Sequence, residues 1–463
     1  IVYNVDVEKI ANVEGISQRK AIEIMNQLLN NQEYEFIKSD RAMELYEDII
    51  SKILSYSNTT YSKNRILLLS PSKDIDKINS QLDFVMNAKN HVSQLPIIKL
   101  RGLMKNLKEV EEAKPEYDPS KAILVESEED NSYLTDLGLN QYYPIITAND
   151  SPLLKEEIMN YDLVFYVYSQ GILDFEGMPN LVMINIEDND YEIVPEKIIN
   201  FFIQNKELFS KVHEIQKIRN QESVLGDIIP IINELNIIDK RDVDIEKLVY
   251  SLKDDMDNEL EKSIKQVDLE GDEILNLLNN NFPPKISKIF DEIINKRKEI
   301  IREKTGLSFD PFLRTYPIQI DDSEIQRVTL EQSSKKENDI FDIKKSAAIE
   351  LNSIKSKAIK EVEDAIKFDY EFSLGSFAYE YGLCRPEFSD EIKLKGALHL
   401  ELALKKDEDY IQKVDYQLTK DENIALLTGA NSGGKTTLPE TLTQISIMAQ
   451  MGLPVSADNA EIK

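Results

Sequence analysis

The chain has 463 residues, of which 41% are hydrophobic and 30% charged, which is enough apolar content for folded cores and excludes wholesale disorder. With 84 acidic against 55 basic residues the formal net charge is −29, which excludes a surface that is cationic overall; a polyanion could be held only by a local basic patch. One Cys excludes a disulfide framework, and no apolar run approaches the ~18 residues of a membrane helix, so we expect a cytoplasmic protein with no membrane partner.

The length predicts about three domains, and Ile1 in place of Met leads us to expect a fragment of a longer protein. Residues 6–29, DVEKIANVEGISQRKAIEIMNQLL, read as two helices around a tight turn, with Ile10, Val13, Ile16, Ala21 and Ile24 as the shared apolar seam. Gly15 gives the turn its backbone freedom. Two readings stay open: a helix-hairpin-helix that grips a DNA strand through Gly15, Ser17, Arg19 and Lys20, or a plain helical hairpin. Residues 64–88 are an apolar segment, a Pro-Ser break and a helix.

Between 121 and 202 the runs KAILVES, YYPIITA, YDLVFYVYS and NLVMINIE are short, apolar and spaced by polar stretches, as parallel strands buried on both faces are. The acidic run Glu126, Glu128, Glu129 and Asp130 reads as a solvated loop in preference to a metal site. From 203 to 368 the pattern is that of long, charged amphipathic helices packed antiparallel. Gly, Pro and β-rich runs interrupt it at 305–332, predicting a small β-containing tip. Lys296, Arg297, Lys298, Arg302, Lys304 and Arg314 gather towards that tip, either as ordinary helix-face charge or as a phosphate-contacting patch.

The sharpest motif comes late. NIALLT, 423–428, reads as a strand that runs into Gly429, Ala430, Asn431, Ser432, Gly433, Gly434, Lys435 and Thr436, with Thr437 next and a helical pattern after it. This fits G-x-x-x-x-G-K-[ST] in its required context. Glycines let backbone N–H groups turn onto a polyphosphate, and the following helix points its positive end at the same place. Lys435 can reach the β- and γ-phosphates of ATP, and the Thr436 hydroxyl can ligate Mg²⁺. Pro439, early in that helix, stands where it could crowd the carbonyl of Lys435.

The passage TGANSGGKTT, an apolar helix and then MGLPVSADNAEI resembles the MutS family, with Ser456 where Pro is usual. LGSFAYEYGLCRPEF, 374–388, resembles that family's entry into its ATPase domain. GALHLEL, 396–402, resembles its Gly-x-His-Pro segment with Leu400 replacing Pro, and NRILLLSPSKDIDKIN resembles the start of its lever region. No Phe-x-Glu wedge precedes the levers, which matches the archaeal-type branch without the mismatch-recognition domain.

The resemblance implies a multidomain α/β protein. Its mainly helical lever and clamp core would carry a small α/β insert and the start of a C-terminal P-loop ATPase domain. The expected layout is a helix-hairpin-helix region at 1–62, the start of the core at 63–120, the insert at 121–202, levers at 203–368 with the clamp at 305–332, and the ATPase part at 369–463. It also implies ATP and Mg²⁺ as cofactors, DNA as chromosomal partner, a homodimer, and ATP hydrolysis coupled to clamping of DNA. Tyr416 is the candidate for stacking on adenine. The acidic strand and signature loop that hydrolysis needs do not occur after Thr437, so we expect this chain to hold at most half a hydrolytic site. A non-hydrolysing scaffold with structural nucleotide and another coiled-coil P-loop repair ATPase are the alternatives.

Overall fold

The computed structural model describes residues 37–148, 154–171, 180–238, 245–266, 283–305, 307–404, 411–422, 424–428 and 435–463, with a few isolated positions before 37 and between 171 and 180. It is a mixed α/β structure with two compact units, residues 1–111, 205–227 and 355–463 in the first and 112–204 and 228–354 in the second. The hairpin expected at residues 6–29 lies largely outside the described residues, Gly15, Ser17 and Arg19 included.

The first unit opens with α1 (Asp40–Leu54), α2 (Thr60–Leu67), α3 (Ile75–Val92) and α4 (Ile97–Met104). Ser39, Thr59 and Asp74 start the first three helices by accepting hydrogen bonds from first-turn N–H groups that would otherwise lack partners. The four-residue spacing of Leu45, Ile49 and Ile53 puts all three on one buried face of α1.

The second unit contains β1 (Lys121–Val125), α5 (Glu128–Asp136), β2 (Ile145–Thr147), α6 (Leu154–Ile158), β3 (Leu163–Tyr168) and β4 (Leu181–Asn185). The strands form one parallel sheet in the order β2-β1-β3-β4. Its two faces follow from the period of two along each strand. Ile123, Val125, Leu163, Phe165 and Val167 join one core, while Ala122, Leu124, Val164 and Tyr166 join the other with Leu154 and Ile158 of α6. Both faces of the central strands β1 and β3 are buried, so these read as continuous apolar runs.

The acidic run is a correction. Glu128, Glu129 and Asp130 are the first turn of α5 and no loop, because Ser127 Oγ caps the Asp130 N–H at 3.1 Å. Three carboxylates there complement the positive helix end.

Two helices follow in this unit, α7 (Asp190–Ile193) and α8 (Glu196–Gln204). Glu196 accepts from Lys344 Nζ at 3.0 Å and from the Tyr143 hydroxyl at 2.8 Å. Burial pushes its carboxyl up, but Lys344, Lys121 and the Tyr143 hydroxyl together outweigh burial and hold it below the ordinary range. A lowered carboxyl stabilises the fold above the unfolded-state pKa and loses that contribution as pH falls through the folded-state value. Glu196→Gln is therefore expected to cost about 1–2 kcal/mol at neutral pH, and the gap should narrow progressively as pH falls below the ordinary carboxylate range. Urea midpoints at neutral and acid pH measure both.

Helix α9 (Lys206–Ile218) returns to the first unit, and α10 (Leu225–Ile238) follows it. In the second unit α11 (Ile245–Lys265) and α12 (Pro284–Thr305) share a core of Val249, Leu252, Met256, Phe290 and Ile294. The tip is narrower than its expected 305–332. It is an antiparallel hairpin of β5 (Phe312–Leu313) and β6 (Gln319–Ile320), and α13 (Asp322–Glu380) already begins after it. Asp321 caps α13 by accepting from the N–H groups of Ser323 at 3.1 Å and Glu324 at 3.2 Å.

The first unit closes with β7 (Glu387–Phe388), β8 (Ile392–Ala397), α14 (Leu400–Ala403), β9 (Val414–Leu418), α15 (Thr437–Gln450) and β10 (Asn459–Ile462). The sheet order is β7-β10-β8-β9, antiparallel except for β7 with β10. Helices α13 and α15 both end in Schellman motifs built on left-handed glycines, Gly382 at φ 63° and Gly452 at φ 69°. The Leu383 N–H bonds the Ala378 carbonyl at 3.0 Å and the Leu453 N–H that of Met448 at 2.9 Å. These stops turn the chain into β7 and towards β10.

Candidate functional site

The cradle motif leads into α15. Gly429, Ala430, Asn431, Ser432, Gly433 and Gly434 lie outside the described residues, while Lys435, Thr436 and Thr437 are described. Thr436 takes the cap position in helical conformation, φ −82° and ψ −37°, with no side-chain cap on the first turn. Among the described residues no side chain caps the N–H groups of that turn, and such groups at a helix start are what an anion would meet. The exposed Thr436 hydroxyl suits Mg²⁺, which takes few protein ligands and completes its octahedron with phosphate and water.

Pro439 costs this helix no backbone hydrogen bond. It is the third helical residue, and an N–H at that position has no intrahelical acceptor to lose. The chain before the cradle differs from expectation. Residues 424–428 form no strand, and Ile424 and Leu426 are each 89% exposed. A strand forms only when neighbours pair with it, and among the described residues none pairs with this one.

The helix itself is firmly seated. Thr441, Gln444, Ile445, Ile447, Met448 and Ala449 are buried, and Ile445 and Met448 share a core with Leu45, Ile49, Leu374 and Phe377. His399, from the GALHLEL segment, caps α14, and the next N–H, of Leu400, donates to Gln444 Oε1 of α15 at 3.1 Å. Arg41 of α1 donates through Nε and Nη2 to Glu440 Oε1 at 2.9 and 2.7 Å, and through Nη1 to Glu44 at 2.5 Å. Sequence reasoning missed Arg41 and Glu440, which lie 399 positions apart with no shared motif. Tyr416, half-buried on β9, packs against the same core and lines a cavity of about 340 Å³ with Lys393, Lys395 and Asp415.

In the second unit the parallel sheet has its switch point between β1 and β3, the usual ligand crevice of open α/β sheets. Glu126 fills it. Its carboxylate accepts from the N–H of Ser169 at 3.0 Å, that of Gln170 at 2.6 Å, the Ser169 hydroxyl at 3.0 Å and the Tyr166 hydroxyl. The donors that would greet a phosphate are already taken by an internal anion. Among the described residues no group of three or more His, Cys, Asp or Glu could hold a metal ion. None of their helices is long and apolar enough to cross a membrane.

At the tip the predicted basic residues divide. Lys298 pairs with Asp310 at 3.0 Å, Arg314 with Asp291 at 2.5 Å, and Lys296 and the buried Arg297 share Glu259. Arg302 and Lys304 stand exposed in the last turn of α12, with no acidic partner among the described residues.

No family model matches the chain. A DNA-binding protein MutS2 of Pyrococcus furiosus is 28% identical over 183 residues, 38% of this chain and 32% of that protein. A DNA mismatch repair protein MutS of Staphylococcus haemolyticus is 36% identical over 106 residues, 22% of this chain and 12% of that protein. An endonuclease MutS2 of Caldanaerobacter subterraneus subsp. tengcongensis is 25% identical over 171 residues, 36% and 20% of the two. The chain spans about a third or less of the length of these relatives. Matches of this identity and extent, all to proteins that bear one family name, support a relationship between this chain and the MutS family.

Proposed function

We propose that this chain is part of a MutS-like, ATP-dependent DNA-binding protein of the branch that lacks a mismatch-recognition domain. Nucleotide occupancy at Lys435 changes the grip of the helical arms on DNA, without base-sequence specificity. The names of the relatives, DNA-binding protein and DNA mismatch repair protein, support DNA as the partner. The observation that carries the nucleotide reading is the uncapped start of α15 directly behind Lys435 and Thr436.

In this reading Gly429 to Gly434 are the motif residues that would offer backbone N–H groups to the phosphates, Lys435 would meet the β- and γ-phosphates, and Thr436 would hold Mg²⁺. A Mg²⁺ held by Thr436 would supply charge neutralisation at the phosphates. Hydrolysis takes place in the full-length homodimer, where the γ-phosphate makes contacts in one state of the arms that it lacks in the other. Residues 369–463 begin the ATPase domain, 203–368 carry the levers, and the hairpin at 312–320 with Arg302 and Lys304 approaches DNA.

Full-length protein carrying Lys435→Ala is expected to bind DNA as the unsubstituted protein does and to lose the response of that binding to ATP. Fluorescence anisotropy of a labelled duplex measures both. An ATP response that survives the substitution would place the nucleotide elsewhere. Its absence from the unsubstituted protein as well would favour a scaffold in which nucleotide has no motor role. With few exposed cations such as Arg302 and Lys304 at the tip, DNA affinity is expected to be modest and its fall with salt shallow, since each phosphate neutralised adds about −0.9 to the log–log slope.

A further inference from the structure

Glu440 stands one helical turn after Thr436, on the same face of α15, where its N–H bonds the Thr436 carbonyl at 3.3 Å. A turn rises about 5–6 Å, so the carboxylate lies within a Debye length, about 8–10 Å, of whatever Thr436 and Lys435 hold. An acidic side chain here suits an empty helix start, but it opposes a second anion arriving at the same end. The Glu440 side chain is only 18% exposed and its Oε1 takes two hydrogen bonds from Arg41. Arg41 also takes Glu44, so one guanidinium holds two carboxylates beside the cradle helix. Position Arg41 itself is fixed by α1, whose apolar face is buried in the same core as α15.

We infer that Arg41 is a positioning residue for the triphosphate: by holding the Glu440 carboxylate it keeps a competing negative charge away from the phosphates and the metal at Lys435 and Thr436. This rests on the nucleotide reading above. Losing Arg41 frees both carboxylates, and a ligand with more negative charge suffers more. ATP binding therefore weakens more than ADP binding, and added salt erases the difference. Any role of Arg41 in merely packing α1 on α15 predicts neither the ATP-over-ADP bias nor rescue by removal of the Glu440 charge.

The test measures Mg·ATP and Mg·ADP affinity by calorimetry on the full-length protein and four variants: Arg41→Ala, Arg41→Lys, Glu440→Gln, and Arg41→Ala with Glu440→Gln. Thermal unfolding confirms that each is folded. Arg41→Ala should bind ATP about three- to tenfold more weakly at low salt, with a smaller loss for ADP. Arg41→Lys and Glu440→Gln should stay near the unsubstituted affinity or bind more tightly, and the double variant should recover most of the loss. Unchanged ATP affinity in Arg41→Ala, or a double variant as weak as Arg41→Ala, overturns this inference alone. Failure of the unsubstituted protein to bind Mg·ATP overturns the nucleotide reading and this inference with it.

Discussion

Phe377→Ala is expected to destabilise the first unit by about 3–5 kcal/mol. Phe377 of α13 is fully buried among Tyr56, Leu374, Tyr381 and the apolar face of α1, with its ring 4.7 Å from that of Tyr381 and edge-on to Tyr56 at 6.1 Å. Truncation loses the transfer energy of the ring and leaves a cavity that the neighbouring helices cannot collapse into. The same core seats α15 through Ile445 and Met448, so the damage reaches the helix behind Lys435. Chemical denaturation followed by circular dichroism gives the loss. A change under about 1 kcal/mol would show that α13 does not hold this core together.

Gly375→Ala is the second large effect, and it adds only one methyl group. A Cβ at Gly375 would sit 2.6 Å from the carbonyl oxygen of Ala88, 2.7 Å from its carbon and 2.8 Å from Val92 Cγ2. Two of those atoms belong to the α3 backbone and cannot swing aside, so α13 and α3 must separate. Overpacking of this kind costs about 1–3 kcal/mol and occasionally more, against which Ala in place of Gly returns about 1 kcal/mol of helix propensity. With contacts this short the cost should lie at the upper end, a net loss of about 1–2 kcal/mol. An equal or higher unfolding midpoint would mean that the two helices do not approach so closely.

Gly375 and Phe377 belong to LGSFAYEYGLCRPEF, a stretch that the sequence reading singled out by resemblance and that the packing explains: a small residue where two helices touch, an aromatic at the core, and Gly382 where the helix must stop. The strands at 121–185 were legible for a similar reason. Their apolar runs are local, and burial on both faces leaves no polar alternation to confuse with a helix. The start of α5 was obscured because three acids in a row look solvated; Ser127 three residues ahead of Asp130 was the capping signal that would have revealed it. The strand expected at 423–428 depended on partners, and pairing is a property of the sheet and not of the segment. For the same reason no local pattern could reveal that Arg41 holds Glu440, or that Glu126 closes the switch point of its own sheet.

The tip shows the limit of counting charges. Six basic residues cluster in sequence, yet Lys296, Arg297, Lys298 and Arg314 are matched to Glu259, Asp310 and Asp291, and only geometry separates them from Arg302 and Lys304.

On the proposed function, triphosphate at Lys435 changes how the protein holds DNA. The most direct measurement of this is the anisotropy of a labelled duplex titrated with full-length protein, with and without Mg·ATP, at fixed low salt. Adding ATP should shift the affinity by about fivefold or more, the low end of allosteric coupling. Identical titrations with ATP bound and absent would contradict it.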